Sequence, residues 1–196
     1  MIKKLMGALA LMGYAMSSQA AVQGYDWSFT GFTPAWGYES GGSFEGAFNP
    51  DTRLSGSFFA EDLNRDGSFS RSEVTSFTID GQSMLNCEDP LRCSLSSFSY
   101  TPGSALMFDA SRSRQYGEWG SNWSRTSTSY RTGVDFFTVS ESIFSSGASW
   151  SGHNFTPETR FAISEISAVP EPQTWLMLGA GIALIGAVQR RRPRKA

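Results

Sequence analysis

The residues best suited to chemistry lie between Asp62 and Glu73. The run Asp62-Leu63-Asn64-Arg65-Asp66-Gly67-Ser68-Phe69-Ser70-Arg71-Ser72-Glu73 follows the spacing D-x-N-x-D-G-x5-E, which sets hard oxygen ligands at alternate positions around a tight turn. Asp62, Asn64 and Asp66 supply side-chain oxygens, Ser68 a backbone carbonyl, Ser70 a hydroxyl or a bridging water, and Glu73 a bidentate carboxylate. Such a set can wrap Ca2+ with six to eight contacts. The flanks, Leu54 to Ala60 and Val74 to Ile79, read as strands rather than helices. The expectation is therefore one structural Ca2+ tying a long turn, not a helix–loop–helix sensor. The alternative is a solvated acidic hairpin without metal, because Asn, Asp and Gly favour turns on their own account.

The two cysteines, Cys87 and Cys93, enclose Glu88-Asp89-Pro90-Leu91-Arg92. Five intervening residues is not a zinc spacing, and in an exported chain the pair predicts a disulfide. His153 is the only histidine and sits in Ser149-Trp150-Ser151-Gly152-His153-Asn154, which reads as a loop. A serine hydrolase would need it as base, but no Gly-x-Ser-x-Gly elbow accompanies it. No local pattern of carboxylates marks a glycosidase pair. We assign no catalytic residue. Trp119, Trp123, Tyr116 and Tyr130 cluster in a Gly/Ser/Arg-rich stretch; Trp119 and Trp123 are candidates for stacking on sugars, although aromatics in β-domains more often fill cores.

The elements that position these residues read as strands. Asp26-Trp27-Ser28-Phe29-Thr30, Ser97-Phe98-Ser99-Tyr100-Thr101 and Val134-Asp135-Phe136-Phe137-Thr138-Val139 alternate large apolar or aromatic residues with small polar ones, the period of a half-buried strand. Gly, Asn and Pro interrupt them about every ten residues, the rhythm of a β-sandwich or barrel. Phe161 to Ile166 reads as the last strand, and Ser121 to Arg131 as either a polar edge strand or a loop. The expected fold is all-β: a single antiparallel, sandwich-like domain over residues 21–168, of a length that supports one core. Nine arginines and all 18 acidic residues fall within residues 21–173, giving that region a net charge of about −9. This excludes nucleic acid as a partner on electrostatic grounds and is compatible with cations and neutral glycans.

Both ends carry targeting signals. Residues 1–20 have the form of a secretory signal peptide for the Sec translocon: Lys3 and Lys4, an apolar run from Leu5 to Met16, then small residues to Ala20. At the other end, the apolar run from Thr174 to Gln189 would make a helix of roughly 24 Å, shorter than a bilayer core of about 30 Å. Five basic residues follow it and place the C-terminus on the cytoplasmic side, with arginine snorkelling easing the mismatch. Val169-Pro170-Glu171-Pro172 precedes the run. Its prolines fix φ, lack N–H groups and hold the preceding residues extended, the form a protease cleft accepts.

Val169-Pro170-Glu171-Pro172, the short Gly/Leu/Ala span and Arg190-Arg191-Arg192 resemble the PEP-CTERM sorting domain of Gram-negative bacteria. The resemblance covers about residues 168–196. It implies recognition by an exosortase, cleavage at or near the Pro-Glu-Pro site, and passage from an inner-membrane precursor to a periplasmic, cell-surface or extracellular mature form. It also implies association with exopolysaccharide or biofilm. The expected role is that of a non-catalytic surface or matrix protein; the alternatives are a glycan-binding β-sandwich module and, more distantly, a polysaccharide hydrolase.

Overall fold

The computed structural model describes residues 21–39, 41–117, 122–142, 148–166 and Gly181. Among them are twelve strands and one turn of 3-10 helix at Arg71–Glu73. The strands are β1 (Val22–Tyr38), β2 (Ser43–Glu45), β3 (Asn49–Glu61), β4 (Phe69–Ser70), β5 (Val74–Ile79), β6 (Gln82–Ser83), β7 (Leu91–Tyr100), β8 (Met107–Tyr116), β9 (Ser124–Arg131), β10 (Asp135–Ser142), β11 (Ser149–Asn154) and β12 (Arg160–Ile166). The fold is thus all-β, as the period-two patterning predicts, and every pairing is antiparallel.

The long strand β1 is the spine. Its first half pairs with β12 on one edge and β3 on the other; its second half pairs with β11 and β2. The exchange of partners happens at Gly31, where the register against β3 shifts. Gly31 has φ +85, and a Cβ there would lie 2.7 Å from the Phe48 ring. Only glycine takes that conformation without cost and also admits the ring. From β11 the sheet runs on through β10, β9, β8, β7 and β4, while β3 leads to β5 and β6.

The two wings face each other across an aromatic core. Tyr25 and Trp27 of β1, Phe58 of β3 and Phe77 of β5 meet Phe98 and Tyr100 of β7 and Phe108 of β8, with Trp27 and Phe108 centroids 5.2 Å apart and Phe58 and Phe98 5.0 Å apart. Tilted and edge-on contacts of this kind suit ring quadrupoles. The indole Nε1 of Trp27 is buried there with no hydrogen-bond partner among the described residues.

Two sequence readings change. The stretch read as an edge strand or loop becomes β9, an interior strand paired with both β8 and β10. His153, read as a loop residue, lies in β11 opposite Pro34 and Phe136. Among the described residues no helix is long and apolar enough to cross a membrane. The signal peptide over residues 1–20, the apolar span 174–189, the sorting residues Val169, Pro170, Glu171, Pro172, Arg190, Arg191 and Arg192, and the candidate Trp119 all lie outside the described residues.

Candidate functional site

The acidic loop connects β3 to β5 by way of β4 and the 3-10 turn. Its side chains are organised around backbone N–H groups. Asp62 accepts from the N–H of Asp66 (3.2 Å) and of Gly67 (3.0 Å), Asn64 Oδ1 from Asp66 (3.0 Å), and Asp66 Oδ1 from Ser68 (2.8 Å). These are the local bonds that make Asn and Asp turn formers. Gly67 takes φ +76 at the turn, the conformation expected of the glycine at this position in the pattern.

Glu73 is the buried member, at 4 % exposure. Its Oε2 accepts from the Ser70 N–H (2.9 Å) and hydroxyl (2.8 Å), and its Oε1 from the N–H groups of Leu63 (3.1 Å) and Asn64 (3.4 Å). The carboxylate closes the loop on itself. Above all the Ser70 N–H, then its hydroxyl, and more weakly the Asn64 and Leu63 amides hold the Glu73 carboxyl below the usual carboxylate range, against the opposing effect of burial. A depressed carboxyl stabilises the fold above its unfolded value, and that contribution is lost as pH falls through the lowered folded value. Among the described residues, no three His, Cys, Asp or Glu side chains converge closely enough to hold a metal ion. The oxygens present fit calcium in kind; Asp62, Asp66 and Glu73 would have to exchange N–H bonds for the cation.

Cys87 and Cys93 are bonded, with Cα atoms 5.6 Å apart. In the chain-entropy view so short a loop contributes roughly 2–2.5 kcal/mol. Cys93 stands opposite Arg112 on β8, at one end of a second and wider feature.

That feature is the inner face of the ladder formed by β1, β11, β10, β9 and β8. Cross-strand partners share a face. Pro34, His153, Phe136, Tyr130 and Ala110 form one row across the five strands, and it closes the core. The His153 ring stacks on Phe136 at 4.8 Å. Burial lowers the His153 pKa, so the neutral ring is favoured. Its stabilising contribution is present above the ordinary histidine value and lost as pH falls through the lowered one.

One step along the strands the next row is Trp36, Ser151, Thr138, Thr128 and Arg112. Here the core has ended. Trp36 is 42 % exposed and stacks on Phe44 of β2, itself 53 % exposed, with centroids 6.2 Å apart. The Thr128 and Thr138 hydroxyls are 3.0 Å apart. Arg112 is partly buried, and its Nε has no hydrogen-bond partner among the described residues. A further row brings Tyr38 and Arg114 to the same face. Arg114 donates to the Tyr116 hydroxyl at 2.7 Å and lies 5.4 Å over that ring. A depression of about 450 Å3 opens between Pro34, Trp36, Phe136, Thr138, Ser151 and His153.

The aromatic cluster expected from sequence is divided by the fold. Tyr130 packs on the core and stacks with Phe136. Its phenol is pushed up by burial and then by Asp80, and pulled down by Arg112. Trp123 is half-buried and Tyr116 is exposed at the end of β8. Sequence reasoning missed the Trp36 row. Its only linear sign is the hydroxyl run at residues 126–129 and the alternating hydroxyls Thr138, Ser140 and Ser142, and register alone sets Thr128 and Thr138 beside Trp36 and Arg112.

Fold and disulfide define an all-β, disulfide-bonded body of the kind that persists in oxidising compartments. Residues 168–192 match the PEP-CTERM protein-sorting motif. The chain carries that motif, which implies a membrane-anchored precursor processed by an exosortase for export to the surface. No curated protein and no solved structure matches this chain.

Proposed function

We propose that this is a non-catalytic surface or extracellular-matrix protein associated with exopolysaccharide, its body a single sandwich-like β-domain. The sorting motif at residues 168–192, following edge strand β12 of an all-β body, carries the reading. A signal peptide over residues 1–20 passes the chain to the Sec translocon. A span over residues 174–189 holds the precursor in the inner membrane, C-terminus cytoplasmic, until an exosortase acts near Pro170-Glu171-Pro172. His153 stacks its ring on Phe136 in the row that closes the core, which supports a packing role. In cells with the matching exosortase, intact mass should show an exported protein lacking both terminal segments and co-sedimenting with precipitated exopolysaccharide. Replacing Pro170 and Pro172 by alanine should leave the C-terminus attached and the protein at the membrane. Export with a full C-terminus, or wild type left wholly in the supernatant, overturns the proposal.

The Asp62–Glu73 loop is proposed to take one structural Ca2+, on the strength of its oxygen-rich spacing and the fixed position of Glu73 at its neck. Calcium at about 100-fold above Kd should raise Tm by roughly 5–10 °C, and Asp66→Ala should remove the rise. Identical melting with calcium and with chelator would leave the loop as a turn held by backbone N–H groups. A second reading, a glycan-binding module, is favoured by the exposed Trp36–Phe44 stack.

A further inference from the structure

We propose that the exposed half of the inner sheet face binds a carboxylate-bearing polysaccharide strand, laid across β1, β11, β10, β9 and β8. The proposal deepens the glycan-binding reading and rests on it.

Three observations converge on one row. At one end, Trp36, backed by Phe44, offers an apolar ring face more than a third exposed, suited to the C–H face of a pyranose. In the middle, Ser151, Thr138 and Thr128 present hydroxyls on adjacent strands. The Thr128 and Thr138 hydroxyls bond each other at 3.0 Å, and because a hydroxyl has one donor and two acceptor sites they keep capacity for a polyol. At the other end, Arg112 brings a guanidinium whose Nε has no partner among the described residues. A buried donor without a partner is costly, and the planar fork of arginine matches a carboxylate.

Charge selects the occupant. The body carries about −9, yet the rows of Trp36 and Tyr38 contain no carboxylate and hold Arg112 and Arg114. At the Trp36 end, Glu45 accepts from Asn154 and Glu39 from the Ala148 N–H. Beyond about 8 Å the remaining negative charge is screened at physiological ionic strength, so the two arginines govern contact.

Affinity electrophoresis of the exported protein at physiological salt tests this, with alginate as probe, dextran as a neutral glycan and polyglutamate as an anionic polymer without sugars. Alginate alone should retard the wild type. Arg112→Gln and Trp36→Ala should each weaken the retardation by about tenfold. Arg114→Glu, at an exposed position that folding does not require, should do the same with unchanged Tm. Failure of alginate to retard the wild type overturns the proposal. So does equal retardation by polyglutamate, retardation by dextran alone, or insensitivity to both Arg114→Glu and Trp36→Ala. The two readings fail separately. If wild type and Arg114→Glu co-sediment equally with exopolysaccharide, this site falls and the matrix reading stands. If the wild type does not co-sediment, the matrix reading falls whatever alginate does.

Discussion

Phe58→Ala destabilises the body by about 3–5 kcal/mol, the range for removing a buried aromatic ring, and lowers Tm by roughly 10 °C or more. Phe58 has no exposed surface. Its ring lies 5.0 Å from Tyr25, 5.0 Å from Phe98 and 5.5 Å from Tyr100, so it joins β3 to both β1 and β7. Loss of the ring opens a cavity where the two wings meet, and surrounding rings cannot close it without leaving their own contacts. Domain stabilities lie at about 5–15 kcal/mol, so this one change removes a large share. Denaturant titration measures it. A loss below about 1 kcal/mol would mean that the wings do not pack through Phe58.

Gly56→Ala acts through backbone instead of core. A Cβ at Gly56 would stand 1.9 Å from the Thr78 carbonyl oxygen and 2.7 Å from the Trp27 ring. Neither neighbour can yield cheaply, since Thr78 is paired with Ser57 in the β3–β5 ladder and Trp27 is stacked on Phe77. The strands must separate. The expected cost is about 3 kcal/mol or more, at or above the upper range for overpacking, with amide exchange accelerating first along β5. Gly42→Ala is the matched control, because the nearest atom to its Cβ is 4.0 Å away, and it should change stability by less than about 0.5 kcal/mol. Equal effects from the two substitutions would rule out the close approach of β3 and β5 at this point.

Much of this protein can be read along the chain. Alternation at Trp27 and Phe29, or at Phe136 and Thr138, declares strands because the period of two is local. The acidic loop declares its turn because Asp62, Asn64 and Asp66 bond to amides a few residues away. The cysteine pair was legible because a short separation brings the sulfurs within reach, and the sorting motif because it lies in one contiguous stretch.

Partnership across the sheet is not local. The stretch ending at Arg131 reads as an edge strand or loop because it is polar, yet β9 lies inside the sheet with β8 on one side and β10 on the other, and Thr126 and Thr128 fall in the rows that extend past the core. His153 reads as a loop residue beside Gly152, yet glycine there admits the Phe137 side chain, 2.4 Å from a would-be Cβ. Sequence alone determined the strongly alternating strands, the acidic turn, the disulfide and the sorting motif, each written in neighbouring residues. Tertiary structure decided which of two equivalent faces each strand buries and which side chains from distant strands share a row. Register is fixed by packing of the whole sheet, and a shift of one residue would turn Trp36, Thr138 and Arg112 to the other side.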